Sequence, residues 1–285
     1  MRGRTAPLPS SFTLHLVPIS PESQMRLQLI TAAMLLALPL QAQSLADRIA
    51  AVGTGTVRMQ FAAREGVCGN GRGNISIRGA GDRRTAVSAS ENGYRTREWE
   101  DECEPGPVRL AVDVRSRAIV GLRAYVGGRW RGDAELDLGD VDPVQASRWL
   151  VTVAQTADAK TATAAIFPSM LAAGNDPWRQ MLDIAKNESR PREVRSSATF
   201  WVAQSAETAA TRGLQDIVDA DGDREVRKQA VFALSQRPKD ESVPALIRLA
   251  RSHRDPEIRR SAIFWLGQSR DPRALQYFED VLLSR

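Results

Sequence analysis

Two different rhythms of apolar residues divide this chain. Between residues 55 and 131 they alternate with polar ones. Val57, Met59 and Phe61 share one face, as do Ile75 and Ile77, and then Val108, Leu110, Val112 and Val114. The segment AIVGLRAYV over 118–126 reads as a further strand. The turns GNGRGN, RGAGD, EPGP and VGGR punctuate these runs. Period two broken by Gly and Pro predicts a small antiparallel sheet or half-barrel of about five or six strands. After residue 141 glycine becomes rare, Ala and Leu rise, and apolar residues recur at helical spacing. That pattern predicts helices over 144–156, 159–172, 176–187, 191–204, 208–219, 223–236, 241–252, 255–268 and 272–283. Pro168 interrupts the second of these, so the first pair is expected to adapt the helices to the β region. The last helix, with Glu279, Asp280 and Arg285, reads as a polar terminal cap.

Within the helical half the chain repeats itself. PREVRSSATFWVAQS starts at Pro191, DREVRKQAVFALSQR at Asp223 and DPEIRRSAIFWLGQS at Asp255, a period of 32 residues without a gap. Glu193, Glu225 and Glu257 align, as do Arg195, Arg227 and Arg259. Phe200, Phe232 and Phe264 align, and so do Gln204, Gln236 and Gln268. Two helical patterns per unit at this period are the mark of an α-solenoid, in which no unit can bury its apolar face alone. Asp223 and Asp255 are placed to cap helix starts, and Pro256 suits a first helical position. Val226, Ala230, Ala233 and Leu234 form one buried stripe. Val194, Ala198, Trp201 and Val202 form its equivalent in the preceding unit, and Ile258, Ala262, Trp265 and Leu266 in the following one. Trp201 and Trp265 are therefore expected in the core.

The repeated D-x-E-V-R-x-x-A-x-x-A-L, followed by a second short Leu-rich helix, resembles the HEAT repeat. It looks like the short form found in phycobilisome-lyase-type HEAT-like proteins. The resemblance is clear over 176–285 and weaker over 142–175. It implies a right-handed α-α superhelix with the Val-Arg helices lining the concave side. Such proteins are mostly binding scaffolds, and a minority assist bilin attachment. The fold expected for the whole chain is thus α+β: a leader over 1–42, a β domain over 43–140, and a HEAT-like solenoid over 141–285.

Ahead of both regions, residues 25–42 read MRLQLITAAMLLALPLQA. A basic residue, a short apolar run and a small residue at Ala42 make the pattern of a secretory signal peptide, and the run is too short to span a bilayer. A membrane-tethered N-terminal anchor is the alternative. Export makes the location periplasmic or extracellular. It also predicts that Cys68 and Cys103, the two cysteines of the chain, are joined as a disulfide.

Charge and chemistry narrow the function. The net charge of +5 is spread over the chain with no concentrated basic face, so no nucleic-acid partner is expected. With two Cys and two His, a zinc site lacks ligands. His253, in the turn RSHRDPE, reads as a solvated loop residue. The acidic run Glu98, Glu100, Asp101, Glu102 and Glu104 reads as a solvated sheet edge, with a hard-cation site as the alternative. VDADGDREV imitates an EF-hand through Asp219, Asp221 and Asp223, but Arg224 stands where that loop needs glycine and Ala230 where it needs glutamate. Neither a cofactor nor a metal is expected.

The residues left over are those the core does not need. On one helical line lie Glu225, Gln229, Phe232 and Gln236. Glu193, Phe200 and Gln204 fall beside them in one neighbouring unit, and Glu257, Phe264 and Gln268 in the other. Phenylalanine offers apolar anchorage and glutamine bonds a peptide backbone in both senses. The line is a candidate protein-binding face. The alternative is structural: Phe wedged between units and Gln bonding a turn. Arg195, Arg227 and Arg259 are expected to pair with acidic residues of nearby turns such as Asp221 or Asp223. The functional expectation is an exported, non-enzymatic scaffold that binds a protein or peptide. A helper of cofactor attachment, a hydrolase using carboxylates near Cys103, and a purely structural envelope module are its rivals.

Overall fold

A short helix, α1 (Leu45–Ala50), leads into β1 (Gly55–Phe61). These elements come from a computed structural model, which describes residues 44–77, 103–130 and 132–283. The segment 25–42, expected to be a signal peptide, and the acidic residues Glu98, Glu100, Asp101 and Glu102 lie outside the described residues. The strands that follow are β2 (Val67–Gly69), β3 (Ile75–Ile77), β4 (Glu104–Pro105), β5 (Val108–Arg115), β6 (Ala118–Tyr125) and β7 (Leu136–Asp140).

The alternation in sequence becomes a two-faced sheet. Val57, Met59 and Phe61 of β1 and Val108, Leu110, Val112 and Val114 of β5 are buried, and the two strands pair antiparallel. The main sheet has the order β6-β5-β1-β7, and β2, β3 and β4 make a smaller one with the order β3-β2-β4. The sheet is not wholly antiparallel as expected: β7 runs parallel to β1. Its pattern, LDLGD, leaves no residue fully buried, and only Leu136 and Leu138 pack against the core, each partly buried. Polar contacts add to this packing. Arg58 donates to Asp137 at 2.8 Å and Gln60 to Asp140 at 3.0 Å across the pair.

Cys68 in β2 and Cys103 just before β4 form the expected disulfide, closing the loop between them, with a sequence separation of 35. A second contact fixes the smaller sheet. Gly127 has φ +74°, and a Cβ there would lie 2.4 Å from the carbonyl oxygen of Gly69, so only glycine allows this close approach.

The helices are α2 (Pro143–Thr156), α3 (Ala159–Ser169), α4 (Trp178–Lys186), α5 (Arg192–Val202), α6 (Thr208–Ala220), α7 (Arg224–Ser235), α8 (Lys239–Ser252), α9 (Pro256–Gln268) and α10 (Pro272–Leu283). Their starts follow local chemistry. The side chains of Asp142, Asp158, Asp223 and Asp255 accept backbone N–H groups at the first turns of α2, α3, α7 and α9. They pack as hairpins α2/α3, α4/α5, α6/α7 and α8/α9. The second members stack on one another in one layer, and α2, α4, α6, α8 and α10 in another. Val194, Val226 and Ile258, equivalent in the repeat, are each 0% exposed on successive members of the first layer.

The second expected helix ends early. Its pattern runs to 172, but α3 stops at Ser169, one residue after Pro168. The chain then turns into extended backbone. Ala172 bridges Ala63, Arg64 N–H donates to Leu171 O, and Ala173 N–H donates to Ala62 O. The helical stack is thereby tied to the connection between β1 and β2, and one apolar core runs from Leu45 through the sheet to Tyr277. The terminal-cap reading of α10 is also corrected. Ala274 and Tyr277 are buried, but Leu275, Val281, Leu282 and Leu283 are exposed.

Candidate protein-binding face

The 32-residue register brings matching side chains of α5, α7 and α9 into rows. Phe200 and Phe232 stack with ring centroids 6.4 Å apart and planes 13° from parallel. Phe232 then meets Trp265 at 5.0 Å, and Trp265 meets Phe264 edge-on at 5.0 Å. At the other end Phe200 contacts Trp201 at 5.2 Å, and Trp201 stacks on Phe167 at 4.9 Å. The result is one aromatic row across four helices. Phe200 and Phe232 are half-buried, and Phe264 is 57% exposed. Trp201 is core, as expected, but Trp265 is only half-buried. The α8/α9 hairpin has no equally packed neighbour on its outer side, so its tryptophan joins the row instead of the interior.

Beside the aromatic row lie the polar members. Gln204 and Gln229 are half-buried, and Gln236 and Gln268 are exposed. The Gln236 amide donates to Ser235 at 3.0 Å. Glu193 and Glu225 are exposed and Glu257 is half-buried. Glu225 pairs with Lys228 at 3.3 Å on its own helix, and Glu257 pairs with Arg260 likewise. Such surface pairs are weak, typically about 0.3–0.5 kcal/mol, so they compete little with a bound partner. The face can offer aromatic surface flanked by amide donors and acceptors.

The arginine row does structural work. Arg195 is ion-paired with Asp221 and also donates to Ala185 O. Arg227 reaches Asp255 at 2.9 Å, the repeat equivalent of Asp223. Arg259 donates to the carbonyls of His253 and Arg254. Asp223 is instead held by Arg192 at 2.6 Å, which keeps its carboxyl below the usual range. A charged hollow of about 680 Å³ lies here, lined by Glu188, Arg192, Asp223 and Arg224 among others. Its cations already face carboxylates, so it is no open anion site.

His253 is not the solvated loop residue expected. It is 8% exposed; its Nδ1 accepts the Asp255 N–H at 3.1 Å, and its Nε2 lies 3.8 Å from Asp219. One repeat earlier Asp221 does the same task, accepting the Asp223 N–H at 2.8 Å. Both close the turn before a helix. Asp219, Asp221 and Asp223 are thus spent on turn and ion-pair roles. Among the described residues no group of three His, Cys, Asp or Glu side chains could hold a metal ion. Glu104, the one described member of the acidic run, accepts the Gly128 N–H at 2.9 Å.

One residue that sequence reasoning missed is Arg237. It is 2% exposed and donates to Thr211, Glu241 and the carbonyls of Ala203, Ser205 and Glu207. The aligned positions hold Ser205 and Ser269, so the repeat gave no signal for it.

The stacked hairpins define an α-solenoid joined to a small sheet. Residues 211–285 match the family model for HEAT repeats, so this part of the stack is a HEAT-repeat array. No curated protein matches the chain significantly. HEAT arrays are interaction modules, and the extended surface that stacking creates is the part they use to bind. Among the described residues no helix is long and apolar enough to cross a membrane.

Proposed function

We propose that this protein is an exported, non-enzymatic scaffold that holds an extended protein segment along the face of α5, α7 and α9. The observation that carries the reading is the aromatic row from Phe200 to Phe264, partly exposed and flanked by Gln204, Gln236 and Gln268 at the same repeat position. A core needs its aromatics covered; this row instead grades from half-buried to exposed. A segment laid across it would cover Phe232 and Phe264 and exchange backbone bonds with the glutamine amides. Export is supported by the signal-peptide pattern at 25–42 and by the Cys68–Cys103 disulfide.

The test is selection of a displayed peptide library on the immobilised full chain. Wild type should enrich a family of sequences with apolar anchors. Phe232→Ala should weaken them by about 2 kcal/mol, roughly 30-fold. Equal enrichment by both proteins removes the row from consideration. Export is tested separately by fractionating cells that express the full chain, which should place the processed protein outside the cytoplasm.

A further inference from the structure

We propose that the protein carries a small-molecule site away from the aromatic row, and that its ligand is an amphiphilic carboxylate, a medium-length acyl chain with one anionic end. The site is an open cavity of about 500 Å³ where α1, the start of β6 and the end of α2 meet. It is independent of the peptide-binding reading and uses different side chains.

The walls are apolar. Ile49 comes from α1, Ile119 and Val120 from β6, and Trp149 and Val153 from α2. Ile49, Trp149 and Val153 are buried and form the floor, whereas Val120 is 43% exposed at the open side. Neighbours along a regular strand point to opposite faces, so Ile119 and Val120 would not line one cavity. A bulge brings them together. Gly121 stands opposite Asp113 and Ile119 opposite Val114, which leaves Val120 without a partner on β5. Bulges recur beside functional sites because they re-aim a side chain. The hairpin turn before β6 is equally particular. Ser116 and Arg117 have φ 50° and 65°, a left-handed backbone that favours glycine. Ser116 N–H donates to Thr54 Oγ1 at 3.2 Å and Arg117 N–H to Gly53 O at 2.7 Å. The turn is thus pinned to the segment joining α1 to β1, and the mouth of the cavity is held in shape.

The rim selects the occupant. Three polar residues stand there: Arg117, Thr156 and Asp158. Two are engaged within the chain. The Asp158 carboxylate accepts the Lys160 and Thr161 N–H groups at 3.0 and 3.2 Å, and the Thr156 hydroxyl donates to Thr152 O at 2.8 Å. Arg117 is exposed, and among the described residues no carboxylate pairs with its guanidinium. An apolar cavity with one available cation at its mouth matches an apolar body with a single negative end. The volume falls within the range of about 300–1,000 Å³ usual for small-molecule sites. β6 is an edge of the main sheet, but its bulge breaks the even run of backbone groups that an added strand needs. A small molecule therefore suits the site better than an extended peptide.

Decanoate, kept below its micelle concentration, is titrated into the full chain and followed by tryptophan fluorescence, with Trp149 in the wall as reporter. Binding should saturate with a Kd of about 10–100 μM. Octanoate should bind about threefold to tenfold more weakly, because less chain is buried. Arg117→Gly should weaken decanoate about threefold to fivefold and leave decanol unchanged. It should also melt no lower than wild type, because glycine relieves the left-handed turn. Val120→Glu should weaken decanoate and decanol alike by more than about tenfold. Should that variant fold poorly, Ala118→Trp, which fills the cavity from its rim, makes the same test. No saturable binding below about 1 mM, decanoate affinity unchanged in Arg117→Gly, or binding that survives substitution at Val120 and Ala118 would each overturn the proposal. Phe232→Ala should leave decanoate binding intact, so failure of this site can be told from failure of the peptide-binding face.

Discussion

Arg195 of α5 and Asp221 at the end of α6 form an ion pair with side chains only 4% and 3% exposed. One repeat on, the corresponding arginine, Arg227, meets Asp255 with both side chains 14% exposed. The same device thus sits in two dielectric settings.

Removing one partner strands the other charge, and the cost grows with burial. Asp221→Ala should destabilise by about 3–5 kcal/mol. Asp255→Ala, whose arginine reaches water more easily, should cost about 1–3 kcal/mol. The double variant Arg195→Met, Asp221→Leu should recover most of the first loss, because an apolar pair of similar volume carries no desolvation penalty. Urea unfolding midpoints check all three. Equal costs for the two single variants would mean that burial does not set the strength of these pairs.

Arg237 ties the α5–α6 turn to α8 through one planar fork. Its donors reach three carbonyls, a hydroxyl and a carboxylate. Lysine has a single ammonium and cannot meet so many acceptors in that geometry. Arg237→Lys is therefore expected to cost about 2–3 kcal/mol, close to the effect of Arg237→Ala. A thermal melt in which lysine substitutes without loss would show that charge alone is needed.

The disulfide should act on the sheet. Cys68 and Cys103 enclose a loop with a sequence separation of 35, for which chain entropy gives about 3–4 kcal/mol. Reduction, or Cys68→Ser with Cys103→Ser, should lower stability by that order. Hydrogen exchange should rise first in β2, β3 and β4, while α5 to α9 keep their protection. Uniform loss of protection would mean the two regions unfold only together.

Acid should destabilise the fold from about pH 4 downward. The Arg273 guanidinium and backbone N–H hold the Asp271 carboxyl down to about 2. Asp223 is lowered chiefly by Arg192, Asp255 by the Glu257 N–H, Asp158 by Thr161 and Asp137 by the Gly139 N–H. Each folded carboxyl is the stronger acid, so its contribution is complete above the unfolded value near 4. It is lost as pH falls through the folded values toward about 2. Melting temperatures should be flat from pH 5 to 7 with respect to these groups and drop steeply below 4. A melt that rises on acidification would contradict the caps.

The helical half was legible because each signal is local. Asp223 and Asp255 cap helices where they stand in the sequence, and Val226, Ala230 and Leu234 are spaced by the helix itself. Three aligned copies then fix the register; Phe200 stacks on Phe232, whereas Phe264 meets the row through Trp265. The sheet was legible only where one face is buried. β7 escaped because its apolar pattern is only two residues long, Leu136 and Leu138, and polar pairs with β1 add to its hold. The aromatic row was foreseen as phenylalanines; Trp265 joined it because the outer side of α9 is less covered than its repeat suggests.

Sequence alone set the helices, their caps, the repeat of 32 residues and the cysteines available for pairing, since all of these depend on neighbours along the chain. Tertiary structure decided the rest. It placed β7 parallel to β1, ended α3 in a bridge to Ala63, buried His253 and Arg237, and left Leu275 and Leu282 in solvent. Burial is a property of what packs on a residue. Identical repeat positions therefore differ in exposure according to whether another hairpin lies above them.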